Sequence, residues 1–181
     1  GFDGIQSEQN KFVHLIIVGM SRMGVAMAIE AAHLAHFPNY ETKKLRTKIT
    51  FIDKNASEEK DYFMGRFKEL FSLSHWRYAE IDDNGQLFWC KQHIPTGFEH
   101  LGGDFIDIEW EFINSSIENP SIQRYLIGVS ACKNAKLTIA ICLPENSRAI
   151  AAATYMHDSV YMSESTLQVL VYQRLNNNLL I

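Results

Sequence analysis

Cysteine is scarce: the 181 residues hold three, Cys90, Cys132 and Cys142, with no C-x-x-C spacing. An odd number without paired spacing argues against a disulfide framework. It places the chain in a reducing compartment, the cytoplasm, with Cys132 and Cys142 as reduced residues in apolar surroundings. An excess of basic charge is lacking too. Lys and Arg number 17 against 21 Asp and Glu, a net charge of −4, so nothing supplies the basic face that nucleic acid or an anionic membrane requires. No apolar run approaches the roughly 20 residues of a membrane-spanning helix. Residues 1–10 lack the basic start and apolar stretch of a signal peptide. The chain begins at Gly1 rather than Met, and the expectation is a piece of a longer protein. Internal repeats and low-complexity segments are missing.

What is present is an ordinary globular composition, 46% hydrophobic and 21% charged. A chain of this length removes roughly 70% of its unfolded surface from water on folding, enough for one domain over residues 1–181 without staples. Val13–Val18 (VHLIIV) is a nearly continuous apolar run ending at Gly19, the pattern of a strand buried on both faces of a parallel sheet. A helix-forming stretch with Met23, Val25, Met27, Ile29 and Leu34 follows, and Phe37-Pro38-Asn39 stops it. Tyr40–Thr47 is polar and basic and reads as a surface loop. Lys48–Ile52 (KITFI) is a second strand, ending at Asp53. Together these predict a βαβ unit with a right-handed crossover.

Between Lys54 and Glu109 the alternation weakens, and the segment 54–109 reads as an insertion. Glu58–Leu73 has helical spacing, with Tyr62, Phe63, Phe67, Leu70 and Phe71 on an apolar side. Asp82-Asp83-Asn84-Gly85 is a turn signal between Trp76–Ile81 and Gln86–Cys90, which predicts a hairpin. Pro95 through Asp104 reads as loop. The alternation then resumes with a strand at Ile108–Ile113, a helix within Pro120–Asn134, a strand at Leu137–Leu143, a helix over Ser147–His157 and a last strand at Leu167–Tyr172. Five strands alternating with helices predict an α/β, Rossmann-type doubly wound parallel sheet of order 3-2-1-4-5, with the insertion between strands 2 and 3.

The chemistry-bearing motif is Gly19-Met20-Ser21-Arg22-Met23-Gly24, a G-x-S-x-x-G variant of the dinucleotide fingerprint. Gly19 permits the tight strand-to-helix turn and Gly24 lets helix and strand approach. Ser21 replaces the middle glycine and can donate to phosphate. The following helix presents backbone N–H groups to an anion, and Arg22 can contact it. Asp53 ends the next strand, 34 residues beyond Gly19 against about 20 in the usual unit. A carboxylate there accepts ribose hydroxyls and repels a 2′-phosphate, which favours NAD or NADH, or another adenosine nucleotide, over NADP.

The run His14–Gly24 resembles the opening of TrkA N-terminal domains, also called RCK domains, whose pattern is HxIIxGxGRxG followed by an acidic residue ending the second strand, here Asp53. These are ligand-sensing modules of potassium channels and transporters. Matching the family's later turns are Asn114-Ser115-Ser116 and the loop Leu143-Pro144-Glu145-Asn146. The resemblance covers Phe12–Lys54 and Glu109–Tyr172. It departs at Ser21, at Asn114-Ser115 in place of Gly-Asp, and in the added segment. It implies a regulatory nucleotide-binding module. Gly19 through Gly24 would hold phosphate, Asp53 and Lys54 the ribose side, and Asn114, Ser115 and Leu143–Asn146 the base or the rest of the ligand. It also implies a homodimer or a linked domain acting on a partner, a membrane protein controlling ion flux among the options.

Enzyme signatures are thin. Tyr40-x-x-x-Lys44 has the spacing of a short-chain dehydrogenase pair but lies in the loop before the second strand. His75, His93 and His100, with Cys90, lack metal-ligand spacing. Glu109 and Glu111 share one strand face, the pattern of salt-bridged or solvated carboxylates. No nucleophile elbow, Walker loop or H-E-x-x-H is present. The expectation is therefore binding without a catalytic residue or a metal. Two alternatives stand beside it: an NAD- or S-adenosylmethionine-dependent enzyme whose catalytic part lies in the insertion or elsewhere, and a degenerate Rossmann domain serving only assembly.

Overall fold

The computed structural model describes residues 4–96 and 105–174. Most of the expected loop from Pro95 to Asp104, and His100 with it, lies outside the described residues. Chain order is β1 (Phe12–Val18), α1 (Arg22–Leu34), α2 (Asn39–Lys43), β2 (Thr47–Asp53), α3 (Ala56–Arg66), α4 (Lys68–Ser72), β3 (His75–Ile81), β4 (Leu87–His93), β5 (Ile108–Asn114), α5 (Pro120–Ser130), β6 (Ala135–Ile141), α6 (Asn146–Tyr155), α7 (Asp158–Met162) and β7 (Thr166–Val171).

One seven-stranded sheet has the order β4-β3-β5-β2-β1-β6-β7. Every neighbouring pair is parallel except β3 with β4. This is an α/β architecture compatible with a Rossmann-like fold, but the sheet is two strands wider than the five expected. The extra pair comes from the segment 54–109. Its hairpin joins the main sheet, with β3 alongside β5. The turn forms because Asp82 Oδ1 accepts the amides of Asn84 and Gln86 at 2.9 and 2.8 Å, while Gly85 takes φ +73°. The hairpin tip then docks on α5, where the Gly85 carbonyl accepts from Ser121 Oγ at 2.7 Å and Arg124 Nη2 at 3.1 Å.

Two more boundaries differ from the sequence pattern. Tyr40–Thr47 is not all loop. The short α2 occupies its start and ends at Lys44 in the left-handed region, φ 54°. It is anchored by buried Asn39, whose Nδ2 donates to the carbonyls of Gln9 and Lys11 at 3.0 and 2.6 Å. The expected single helix over Glu58–Leu73 breaks at Phe67, φ −126°, ψ 49°, into α3 and α4.

The centre of the sheet is buried on both faces, which is why β1, β2 and β6 read as apolar runs. On one face Phe51, Phe63, Phe71, Trp110 and Phe112 form an aromatic cluster beneath α1, α3 and α4, with Phe63 and Phe71 at 5.0 Å between centroids. On the other, Ile16, Ile52, Ile113 and Ile139 meet Ile122 and Leu126 of α5 and Ala149 and Ala152 of α6. Alanines on α1 and α6 let those helices sit close to the strands.

A polar ladder interrupts the second face. His14 on β1 bonds Thr50 on β2 at 2.8 Å, and Thr50 bonds Glu111 on β5 at 2.8 Å. Glu111 Oε2 receives Arg77 Nε from β3 at 2.6 Å. Lys48 lies 3.8 Å from the same oxygen, and Tyr125 of α5 donates to Oε1 at 3.3 Å. The Arg77 guanidinium stacks on Trp89 of β4, 3.7 Å from the ring centroid. Among the described residues no helix is long and apolar enough to cross a membrane.

Candidate functional site

The carboxyl ends of β1, β2, β5 and β6 open into one cleft of about 220 Å³, lined by Gly19, Met20, Ser21, Asp53, Ser115 and Arg148 among others. Gly19 is fixed there by two constraints. It has φ +102°, and a Cβ would stand 2.9 Å from the Cys142 carbonyl oxygen at the end of β6. Its own amide donates to the Ile52 carbonyl at 2.9 Å, extending the β1–β2 ladder by one residue. The chain therefore leaves the sheet in a turn open only to glycine. Gly24 serves the other half of the bend. A Cβ on it would lie 2.3 Å from the Gly19 carbonyl oxygen and 3.0 Å from Ile17 Cγ2, so α1 can sit this close to β1 only without a side chain at that position.

Ser21 is the N-cap of α1, its Oγ accepting the Gly24 amide at 3.2 Å. Its hydroxyl hydrogen remains available to donate. The first two helical amides, Arg22 and Met23, have no acceptor among the described residues. Both side chains are exposed. This leaves an anion-attracting pole at the mouth of the cleft.

Asp53 lies against the same turn. Its Oδ2 accepts the Met20 amide at 2.8 Å and its Oδ1 the Asn55 amide at 2.7 Å, while its carbonyl accepts the Ser115 amide at 3.0 Å. The carboxylate is thus held in one orientation by two backbone donors. Each oxygen keeps further acceptor capacity, since an ionised carboxylate offers about four lone-pair directions. One amide of the turn, that of Met20, is already occupied by the protein's own acid.

Lys54, Ser115, Leu143, Pro144 and Glu145 line the cleft as well. Five other sequence candidates, Arg22, Met23, Gly24, Asn114 and Asn146, do not. Asn114 turns its side-chain oxygen to the Ser57 amide at 3.0 Å, closing the first turn of α3. Asn146 clasps the backbone of Arg174, accepting its amide and donating to its carbonyl, both at 2.8 Å. Met23 lies instead in a smaller recess of about 100 Å³ on the far side of the turn, with Arg22, Cys142, Tyr172 and Arg174.

Asn55, Glu59, Ile117 and Arg148 are in the cleft without having been singled out in the sequence. Arg148 alone had a signal: it is the only charged residue of α6, NSRAIAAATY. It pairs two-pronged with Glu118, at 2.9 and 3.1 Å. That contact holds the Glu118 carboxyl below its usual range and the Arg148 guanidinium above its own. The cleft carries acids Asp53, Glu59 and Glu145 against Lys54 and Arg148, so it suits hydroxyl and amide donors. The phosphate-attracting part is confined to the start of α1.

Along the whole chain, no protein-family model, curated protein or solved structure matches this sequence.

Proposed function

We propose that the cleft holds the nucleoside end of NAD or another adenosine nucleotide, and that the chain is a regulatory nucleotide-binding module of the TrkA-N/RCK kind. The observation that carries this is the pair formed by the glycine-hinged turn and Asp53. A carboxylate pre-oriented by the Met20 and Asn55 amides is set to receive a ribose diol, next to helical amides that attract phosphate. Leaving out the added hairpin, the five parallel strands run β5-β2-β1-β6-β7. In this reading that is the Rossmann order 3-2-1-4-5, with the ligand where the order reverses, between β1 and β6.

Size is consistent with a divided site. About 220 Å³ falls below the roughly 300–1,000 Å³ of drug-sized ligand pockets. It takes a nucleoside, and phosphates would then reach over the turn towards Arg22 and Arg174. The partners in this reading are the nucleotide and a second copy or linked domain whose arrangement it shifts, in the cytoplasm and acting on a potassium transport system.

A second reading, assembly without ligand, draws on the Asp53–Met20 hydrogen bond itself, which braces the turn without any nucleotide. A thermal-shift series with NAD, NADH, NADP, AMP, ADP, ATP and S-adenosylmethionine separates the two. A ligand at ~100 times its Kd adds about 2.7 kcal/mol, roughly 5–10 °C for a chain of this size. Stabilisation by a non-2′-phosphorylated adenosine nucleotide, reduced in Asp53→Ala, is the expected result. A flat response to all seven leaves assembly as the function. Turnover of NADH with a metabolite would instead make the chain part of an oxidoreductase.

A further inference from the structure

A second cavity, of about 470 Å³, lies between α1 and α3 and shares Met20, Ser21 and Glu59 with the cleft. The two helices rest on the sheet and stand apart from each other. The floor of the gap is apolar: Met20, Val25 and Ile29 from the α1 side, Phe63 and Phe67 from the α3 side. Its volume falls within the range of ligand pockets, and its make-up is theirs, mostly apolar with a few convergent polar groups.

Arg66, at the end of α3, closes one end. Its guanidinium lies over the Tyr62 and Phe67 rings, 5.8 and 5.4 Å from their centroids, and it has no carboxylate partner among the described residues. Stacking uses the face of a guanidinium and leaves its in-plane N–H donors free, which is the geometry that receives a carboxylate two-pronged. Arg22, Glu30 and Glu59 line the same groove, and neither acid closes an ion pair to Arg66.

We propose that the α1–α3 groove binds a flat aromatic carboxylic acid, its ring on the Met20–Phe63–Phe67 floor and its carboxylate on Arg66. The aromatic class follows from a floor of phenyl rings and a thioether, both of which pack favourably against an aromatic ring. The acid follows from the unmatched guanidinium. The assignment does not depend on what occupies the nucleotide cleft.

The test is calorimetric titration of the whole chain with 2-naphthoate and with its neutral isostere 2-naphthamide. The acid is expected to bind about tenfold tighter than the amide, the value of one charge-assisted contact. Arg66→Met, which keeps the aliphatic stem at an exposed position, abolishes that preference. Glu30→Gln tightens the acid and leaves the amide unchanged. Ala26→Trp, filling the groove from an exposed helix position, removes binding of both, with the urea midpoint confirming that the variant is folded. Equal affinity for acid and amide, an unaltered preference in Arg66→Met, or no heat from millimolar acid would each overturn the proposal. So would undiminished binding to a folded Ala26→Trp protein.

Discussion

Thr50 gives its single hydroxyl hydrogen to Glu111 across 2.8 Å inside the sheet, where neither side chain meets solvent. With that hydrogen committed, the 2.8 Å contact from Thr50 to His14 closes only if His14 Nε2 carries a proton and donates. His14 is therefore the neutral Nε2–H tautomer. Burial drives its pKa down from 6.5 to about 4, against the pull of Glu111, which raises it, while Lys48 and Arg77 lower it further.

A pH dependence of stability follows from that shift. The unfolded chain takes up a proton on His14 below about 6.5, whereas the folded chain does so only near 4. Stability is full above the unfolded value and declines as pH falls from about 6.5 to about 4, by roughly 3 kcal/mol at 1.36 kcal/mol per unit. Urea unfolding at half-unit steps of pH should show this slope, and His14→Gln should flatten it.

Glu111 is expected to dominate a second loss at lower pH. Burial alone would raise its pKa, but Lys48, Arg77, His14 and the Thr50 hydrogen bond outweigh it, and the net shift is downward. Its contribution is present above the unfolded carboxylate value and is lost as pH falls through the lower folded one. At neutral pH Glu111→Ala removes the buried partner shared by Arg77 and Lys48, though Glu109 stays 3.8 Å from Arg77, and should cost about 1–3 kcal/mol. Glu111→Gln keeps an acceptor for Thr50 and should cost less. Chemical denaturation gives both figures, and NMR titration of His14 in Glu111→Gln should show its pKa lower still.

Two glycine-to-alanine changes should move stability in opposite directions. Gly24→Ala forces a methyl group to 2.3 Å from the Gly19 carbonyl and should cost about 1–3 kcal/mol or more through overpacking. Gly128→Ala, within α5 and with nothing within 4 Å of the new Cβ, should gain about 0.5–1 kcal/mol from helix propensity. Thermal melts of the two variants check the pair.

Asp53→Ala should weaken the protein even without a nucleotide. It leaves the Met20 and Asn55 amides without their acceptor, a loss of about 1–3 kcal/mol where such groups stay dry. The ligand-free melting point measures this part, and the nucleotide-induced shift measures the rest.

The apolar strands and the turn were legible because their signals are local. Apolar runs mark β1, β2 and β6, Gly19 and Asp53 sit at strand ends, and Gly24 lies in the first turn of α1, where topology brings them together. Partners that depend on distant chain segments were not legible. His14, Thr50 and Glu111 come from three different strands and Arg77 from a fourth, and nothing in the spacing of Glu109 and Glu111 tells that one is 30% exposed and the other 1%. Asn114 and Asn146 are ligand-side positions in sequence only through the family resemblance, which says nothing of their partners in this fold. In the fold both are held by backbone groups, at α3 and at Arg174. The short α2 was hidden by its polar composition, since only Asn39 is buried there.

The row of polar side chains from His14 to Arg77 also acts as an alignment gauge for four neighbouring strands. Displacing β2 by a single residue would turn Thr50 towards the phenyl rings of the opposite face and leave an acid and an imidazole facing each other with no hydroxyl between them. Mis-threaded sheets are thereby penalised during assembly, and a chain whose strands are otherwise interchangeable stretches of isoleucine, phenylalanine and valine retains one way to zip.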